Sequence, residues 1–236
     1  MSCAVLSCLN SGSILASLNH IHITLIPKIK NPESVSDFRP ISLCNILYKL
    51  ISKVLANRLK NLLPHVVSES QSVFQSDKAI SDNILVATET LHHMKIKKRG
   101  KEGFMAMKLD MSKAYDRVEW IFLEKLMRKM GFYGRWVDLV MATIKSVSYS
   151  FLINGIPRGF IKPTRWIRQG DPLSPYLFLL CSEGLNGLLN KVVARGDLRG
   201  FSLCKNGPQI SHLFFTDDSL IFCCAKRVMY KQFNRL

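Results

Sequence analysis

The strongest constraint on the fold is a pair of adjacent carboxylates between two short apolar runs. Residues 213–216 and 220–223 are rich in aromatic and aliphatic side chains, which favour β-strands. Asp217 and Asp218 lie between the runs, where a tight hairpin turn is expected. Adjacent carboxylates repel each other, and a bound cation removes that cost. The pattern predicts a hairpin that carries metal ligands, although a solvated turn also explains an Asp-Asp pair taken alone.

The charge of the chain indicates a polyanionic partner. Lys and Arg number 33 against 17 Asp and Glu, which gives a formal net charge of +16. Such an excess is typical of nucleic-acid binding, with an anionic membrane surface as the alternative. Residues 95–101 form a basic run, which fits a flexible loop, a nucleic-acid patch or a nuclear address. No apolar run reaches the roughly 18 residues of a membrane span, so no transmembrane segment is predicted.

The cysteines and the first residues predict an intracellular protein. Seven cysteines, an odd number, are scattered without the spacing of a zinc site, which favours reduced thiols. Residues 1–26 carry no charged side chain, but they lack the positive start of a secretory leader and are interrupted by polar residues such as Asn10 and Asn19. We therefore expect no leader, and a chain that begins inside a larger protein.

Hydrophobic periodicity predicts alternating helices and strands along most of the chain. Strands are expected at residues 22–27, as an edge strand ended by Pro27, at 103–109, and at 149–153 before an Asn154-Gly155 turn. The predicted helices are 42–63 with Ser42 as N-cap, 81–95, one that begins within 111–118 and runs to Met130, 135–147, and 174–194 with Ser174 as N-cap.

Asp110 extends the acidic pair into a candidate metal centre. It stands at the end of the predicted strand 103–109. If that strand lies beside the Asp217-Asp218 hairpin in one antiparallel sheet, three carboxylates converge, and oxygen ligands of this kind suit Mg²⁺. Two such ions a few Å apart are the usual device for in-line phosphoryl transfer. The basic surface and the acidic cluster together favour an enzyme that acts on nucleic acid.

Four sequence blocks give the chain a family resemblance. They are Phe-Arg-Pro-Ile-Ser-Leu at 38–43, Lys-Leu-Asp-Met-Ser-Lys-Ala-Tyr-Asp-Arg-Val at 108–118, Arg-Gln-Gly-Asp-Pro-Leu-Ser-Pro-Tyr-Leu-Phe at 168–178, and Phe-Thr-Asp-Asp at 215–218. In this order they closely resemble blocks of reverse transcriptases from non-LTR (LINE-type) retrotransposons, particularly those of plants. The resemblance covers nearly all of residues 20–225.

The resemblance implies an α+β fold, the fingers and palm of a right-hand polymerase. We expect an antiparallel palm sheet flanked by helices, with the thumb absent and the chain truncated at both ends. Residues 1–20 would form an N-terminal fragment, 21–102 the fingers, 103–225 the palm with interleaved fingers segments, and 226–236 a divergent tail.

The resemblance also implies roles for individual residues. Expected catalytic and metal-binding groups are Asp110, the carbonyl of Met111, Asp217 and Asp218. Expected nucleotide-binding residues are Tyr115, Gln169, Gly170, Lys78 and Arg39, and expected template-binding residues are Arg168, Asp171 and Pro172. Tyr115 would exclude a 2′-hydroxyl, with a core aromatic as its alternative; Arg39 and Lys78 fit a solvated surface equally well. A turn with a helix cap explains Gly170 and Pro172, but not the polar Arg168 and Gln169.

Three positions depart from the family pattern. Thr216 stands where a small or aliphatic residue is usual, and residues 76–78 replace Pro-Gly-Arg, so that Asp77 brings negative charge where phosphate would lie. Trp166 replaces a glycine, and we expect it to distort the loop that follows.

The expected function is RNA-directed DNA synthesis. The partners implied are an RNA template, a DNA primer and dNTPs, with two Mg²⁺ ions as cofactors and Mn²⁺ as a possible substitute, in the nucleus or cytoplasm and without a membrane. Lack of a thumb predicts weak or undetectable processive synthesis. The rival hypotheses are a basic nucleic-acid-binding remnant without catalysis and a peripheral membrane protein.

Overall fold

The computed structural model describes residues 2–68, 70–71, 80–97, 103–111, 113–204, 207–215 and 218–225. Within these, helices α1 to α7 span Ser2–Ser11, Ile46–Lys60, Leu63–Val66, Ile80–Ile96, Trp120–Lys129, Gly134–Lys145 and Ser174–Ala194. Strands β1 to β9 span His20–Pro27, Phe38–Leu43, Phe104–Asp110, Ser148–Ile153, Ile156–Ile161, Phe201–Ser202, Gln209–Ile210, His212–Phe215 and Asp218–Cys224.

The chain divides into two compact units, each built from two segments. Unit 1 comprises Met1–Leu62 and Lys113–Cys181, and unit 2 comprises Leu63–Ser112 and Ser182–Leu236. The first part of α7 belongs to unit 1 and the second part to unit 2. The assignment of fingers and palm to contiguous ranges stays a prediction.

Unit 1 contains a four-stranded sheet in the order β2-β1-β4-β5. Strand β1 pairs antiparallel with β2 and parallel with β4, so it is a central strand and the edge-strand prediction is wrong. Pro27 is compatible with this position because it is the last residue of β1 and ends the strand without interrupting its ladder. Ile21 and Ile23 alternate onto the buried face of the sheet.

The start of the first long helix also differs from the prediction. Residues 38–43 form β2 instead of leading into a helix capped by Ser42. Helix α2 begins at Ile46, where the Asn45 side chain accepts a hydrogen bond from the Leu47 amide at 2.9 Å. Asn45 is as good a cap as Ser42, and pairing with β1 fixes the preceding residues as strand.

The remaining elements of unit 1 follow the predicted order. Helix α5 begins at Trp120, after a 3₁₀ turn at Ala114–Arg117, and Gly131 follows its end at φ 86° as predicted. Asn154 and Gly155 have φ of 52° and 79°, which confirms the hairpin turn between β4 and β5. Strand β5 itself was not predicted.

Unit 2 contains a three-stranded antiparallel sheet in the order β3-β9-β8. This confirms the predicted strand before Asp110, the predicted hairpin strands and their place in one sheet. Phe214 and Phe222 are fully buried in its core, and Ala87 of α4 packs in the same cluster as Phe222. Helix α4, Ile80–Ile96, matches the helix predicted at 81–95.

Helix α7 is long and apolar enough to cross a membrane by length and composition, with a mean hydropathy of 1.2. It is the one described helix that passes this test, although no span was predicted. Core helices pass the same test, so the finding by itself is weak evidence for a membrane segment.

Candidate active site

Two of the predicted carboxylates face each other across neighbouring strands of unit 2. Asp110 ends β3, Asp218 begins β9, and their Cα atoms are register partners in the antiparallel pair. Directly opposed residues project to the same face of a sheet. Asp110 is exposed and Asp218 is partly exposed, so both carboxylates are accessible to a cation from solvent.

A lysine that sequence reasoning passed over completes this acidic face. Lys108 lies two residues before Asp110 on β3 and therefore on the same face. Its Nζ lies 2.9 Å from Asp218 Oδ2, and 62% of the Lys108 side chain and 39% of the Asp218 side chain are exposed. The spacing of two on a strand is the signal that could have identified it.

Several predicted site residues lie outside the described residues. They are Ser76, Asp77, Lys78, Thr216 and Asp217. Among the described residues there is no group of three His, Cys, Asp or Glu side chains that could hold a metal ion. The roles predicted for Asp217, Lys78 and the carbonyl of Met111 therefore stay predictions.

Buried polar contacts hold the hairpin that presents Asp218. The Asn83 side chain donates to the carbonyl of Phe214 at 3.2 Å, and the Phe214 amide donates to the carbonyl of Ser70 at 3.0 Å. His212 Nε2 lies 2.6 Å from Asn186 Oδ1, and Ser211 Oγ lies 2.9 Å from His212 Nδ1. Burial lowers the pKa of His212 to about 4, so the imidazole is neutral at pH 7.

In unit 1, the predicted loop at residues 168–172 is anchored by a buried ion pair. Arg168 and Asp171 are 3% and 5% exposed, and Arg168 Nη1 lies 3.5 Å from Asp171 Oδ2. Tyr48 donates to Asp171 Oδ2 at 2.8 Å, and the Ser52 hydroxyl donates to Asp171 Oδ1. The Arg168 guanidinium lies 4.1 Å from the centroid of the Tyr48 ring and donates to the carbonyl of Thr143 at 2.9 Å.

The electrostatics of this cluster keep Arg168 charged. Burial alone lowers the pKa of Arg168, but Tyr48, Asp171 and Tyr149 together raise it above the usual value. Burial and then the charge of Asp171 raise the pKa of Tyr48 well above its usual value, and burial raises the pKa of Tyr149 to about 12. Both phenols are therefore neutral at physiological pH.

The burial of Arg168 and Asp171 restricts their predicted contact with a template. Their side chains bind each other, Tyr48 and Ser52, so the structure gives them an internal role in fixing the loop backbone. Gln169 is partly exposed and Gly170 is exposed. Gly170 has φ of 88°, a conformation that favours glycine.

Tyr115 is connected to the same loop. Its ring stacks on Phe178 with centroids 5.1 Å apart and an interplanar angle of 14°. Its carbonyl accepts a hydrogen bond from the Ile167 amide at 3.0 Å. Tyr115 is half-buried, so both the nucleotide contact and the core role remain compatible with its position.

Trp166 stands just before this loop in a strained backbone conformation. Its φ of 101° lies in the region that favours glycine, the residue that the family resemblance expects there. Its ring stacks on Tyr149 with centroids 4.9 Å apart, and its carbonyl accepts from Trp120 Nε1 at 3.0 Å. The large ring is thus accommodated by packing while the backbone is strained.

The structure therefore assembles the predicted residues in two groups. Asp110 and Asp218 meet in unit 2, whereas in unit 1 Tyr115 is bonded to Ile167, the residue just before the 168–172 loop. Arg39 lies on β2 of unit 1 and is exposed.

Comparison with known proteins decides the family. The family model described as reverse transcriptase (RNA-dependent DNA polymerase) matches residues 26–235. The chain belongs to this reverse transcriptase family. The four sequence blocks and the opposed Asp110 and Asp218 of this reverse transcriptase domain all lie within the matched range.

Relatives of this reverse transcriptase domain include mobile-element proteins. An uncharacterized mitochondrial protein of Arabidopsis thaliana is 52% identical over 69 residues, 29% of this chain and 57% of that protein. An uncharacterized 149 kDa protein of transposon TX1 from Xenopus laevis is 28% identical over 180 residues, 76% of this chain and 14% of that protein. The Pol polyprotein of retrotransposable element R2DM from Drosophila melanogaster is 27% identical over 212 residues, which are 84% of this chain and 20% of that polyprotein.

Solved structures support the same fold. Telomerase from Candida tropicalis, in complex with a fragment of telomeric RNA, has a TM-score of 0.60 at 13% identity and covers 99% of this chain and 41% of its own. A truncated apo telomerase from the same organism has a TM-score of 0.56 at 15% identity, and the match covers 94% of this chain and 47% of the telomerase chain. These neighbours confirm the mixed α+β polymerase fold. The chain spans between 14% and 57% of the length of the three sequence relatives above.

Proposed function

We propose that this chain carries the RNA-directed DNA polymerase chemistry of a LINE-type retrotransposon, adding dNTPs to a primer 3′-hydroxyl on an RNA template. Membership of the reverse transcriptase family supports the reaction class. The observation that carries the proposal is the register pairing of Asp110 with Asp218 on one accessible sheet face. Residues from distant parts of the chain thus bring two carboxylates together at one place.

The carboxylates fit a site for magnesium. Mg²⁺ prefers a few carboxylate oxygens together with water and substrate phosphates, and both carboxylates are open to solvent. Asp110 and Asp218, with Asp217 and the Met111 carbonyl, would hold two ions, for which Mn²⁺ is a substitute. When bound, the ions would activate the attacking hydroxyl and neutralise charge on the leaving pyrophosphate.

Other residues of the chain would bind and orient the substrates. Tyr115 would contact the incoming sugar and exclude a 2′-hydroxyl, and the stack on Phe178 would hold its ring in place. Gln169 and Gly170 would contact the nucleotide on a loop whose backbone the buried Arg168 and Asp171 hold. Arg39 and Lys78 would contact phosphates, and Pro172 the template side.

Single-nucleotide primer extension on poly(rA)/oligo(dT) with Mg²⁺ tests the proposal. We expect extension by the wild-type chain and loss of extension below detection in Asp110→Asn and Asp218→Asn, because each variant removes a charged oxygen ligand. Asp197→Asn, at an exposed position, is the matched control and should retain activity.

A metal titration separates the polymerase from its rival. The proposal expects calorimetric Mg²⁺ binding that the two variants weaken. If the folded wild-type chain neither extends the primer nor binds Mg²⁺ yet binds RNA in a salt-dependent way, the chain is a non-catalytic nucleic-acid-binding protein instead.

A further inference from the structure

We propose that unit 2 carries a second nucleic-acid site, a groove that takes a short single-stranded segment at the end of β3 opposite the carboxylates. The groove has a volume of about 670 Å³. The end of α4, the start of β3 and the small β6–β7 hairpin line it. This volume is within the range of pockets that hold small organic ligands, which makes room for one or two nucleotide units.

The groove has cationic side chains of the kind that bind phosphates. Lys97 and His93 reach it from the end of α4, and Arg199 reaches it from the segment before β6; all three residues are exposed. The described lining of the groove includes no Asp or Glu. In a chain with a net charge of +16, this local excess favours an anionic ligand.

Aromatic and aliphatic groups lie directly beside the cations. The rings of Phe104 and Phe201 meet edge to face with centroids 5.0 Å apart, and Lys97 Nζ lies 4.3 Å from the Phe104 centroid. Ile96 and Leu203, which are 56% and 40% exposed, add apolar surface to the same groove. Proteins that bind single-stranded nucleic acid combine cationic side chains with apolar surface. The cations contact the phosphates, and the unpaired bases pack against the apolar groups.

The concave shape selects among anionic partners. A lipid surface is flat and does not fit into a groove, and a duplex keeps its bases stacked inside. The wall of the groove is closely packed: a Cβ at Gly200 would lie 2.7 Å from the Ile210 carbonyl oxygen, so β6 and β7 approach as only glycine allows. The Cys224 amide donates to the carbonyl of Arg199 at 3.1 Å and ties this wall to β9.

The groove is separate from the carboxylates. Phe104 pairs with Cys224 at one end of the β3–β9 ladder, and Asp110 pairs with Asp218 at the other end. At roughly 3.3 Å a residue, the Phe104 end lies about 20 Å from the Asp110 end. A segment bound in the groove would therefore lie away from the proposed catalytic residues. The proposal goes beyond the proposed polymerase function and does not depend on it.

Binding of a fluorescein-labelled ten-nucleotide oligo(U) to the full chain, measured by anisotropy in EDTA, tests the groove. The background carries Asp110→Asn and Asp218→Asn, so that the proposed catalytic residues do not contribute a metal-dependent signal. We expect Lys97→Glu with Arg199→Glu to weaken binding about ten-fold or more, and to reduce the slope of log K against log salt by roughly 1.4 for two lost phosphate contacts. Lys125→Glu with Arg158→Glu makes the same change of charge at exposed positions of unit 1 and should have less than a two-fold effect.

Further measurements keep the result decisive. Circular dichroism checks that each variant is folded, and cross-linking of 4-thiouridine oligo(U) to the wild-type chain should modify peptides that contain residues 93–97 or 199–204. Oligo(dT) of equal length identifies whether the groove distinguishes RNA from DNA. Equal weakening by the two pairs of substitutions, cross-links confined to other peptides, or competition by poly-glutamate as effective as by oligo(U) would each overturn the proposal.

Discussion

The ammonium group of Lys108 lies 2.9 Å from the Asp218 carboxylate, on the sheet face where Asp218 meets Asp110. A lysine and a divalent cation would therefore compete for the same carboxylate oxygen. Because both side chains are substantially exposed, the ion pair is expected to contribute only about 0.2–1 kcal/mol. The competition is weak enough for a metal to displace the lysine.

This relationship predicts the effect of Lys108→Met. Removal of the ammonium should tighten Mg²⁺ binding about two- to five-fold, measured by calorimetric titration at low salt. Lys125→Met, at an exposed position on α5, is the control and should leave the affinity unchanged. Weaker Mg²⁺ binding in Lys108→Met would show that the lysine assists the site instead.

The buried ion pair of the 168–172 loop predicts a large loss of stability in Asp171→Asn. The substitution leaves the Arg168 guanidinium buried without its counter-charge, and it weakens the hydrogen bonds from Tyr48 and Ser52. We expect the free energy of unfolding to fall by about 3–5 kcal/mol, measured by urea denaturation. The exposed Asp197→Asn should change it by less than about 0.5 kcal/mol. A small effect of Asp171→Asn would mean that Arg168 reaches another anionic partner.

The buried His212 predicts a loss of stability in mild acid. Its pKa is about 4 in the folded chain and about 6.5 when unfolded, so between these values the unfolded state binds more protons. Stability should therefore fall as pH drops from 6.5 towards 4, by on the order of 3 kcal/mol from this group. His212→Gln should flatten the pH dependence of the unfolding free energy in this window. His65→Gln, at an exposed position of α3, should leave the slope as in wild type.

The positive φ of Trp166 predicts an inverted order of glycine and alanine variants. Both Trp166→Gly and Trp166→Ala lose the stack on Tyr149, so their difference isolates the backbone. Glycine should be the more stable by about 1 kcal/mol, because φ of 101° strains any residue with a Cβ. At Lys125 within helix α5 the order should reverse by a similar amount, since glycine is unfavourable in helices. Thermal or urea unfolding of the four variants measures both differences.

Local patterns predicted the elements that position the carboxylates, because their periodicity is contained in short stretches. Strand β3, helix α4 and the β8–β9 hairpin are examples. The parallel pairing of β1 with β4 and the capture of Asp171 by Tyr48 join residues more than 120 positions apart, which no local pattern encodes.

The charged residues of the 168–172 loop show that the sequence alone does not tell whether a charged side chain is exposed or buried. Arg168 and Asp171 look like surface residues that await a ligand, since charged side chains are rarely buried. The partners that make their burial possible come from α2, and from α6 through the Thr143 carbonyl, so only the tertiary structure reveals the internal role. The convergence of Asp110 with the hairpin carboxylates is predictable from the sequence, because a strand end and a hairpin turn meet at one end of an antiparallel sheet.

The position of Tyr115 predicts a change in sugar selectivity. If its ring contacts the incoming sugar as proposed, Tyr115→Ala opens the space that a 2′-hydroxyl needs, while Tyr115→Phe keeps the ring stacked on Phe178. In single-nucleotide extension, Tyr115→Ala should raise the ratio of rUTP to dTTP incorporation by about ten-fold or more, on the order of 1.4 kcal/mol of discrimination, and Tyr115→Phe should leave the ratio unchanged. If the Tyr115 ring only packs in the core, Tyr115→Ala should lower the stability of unit 1. Incorporation of both nucleotides would then fall together, without a change in their ratio. Because the ratio is internal to one enzyme preparation, partial unfolding of the variant cannot imitate a selective gain.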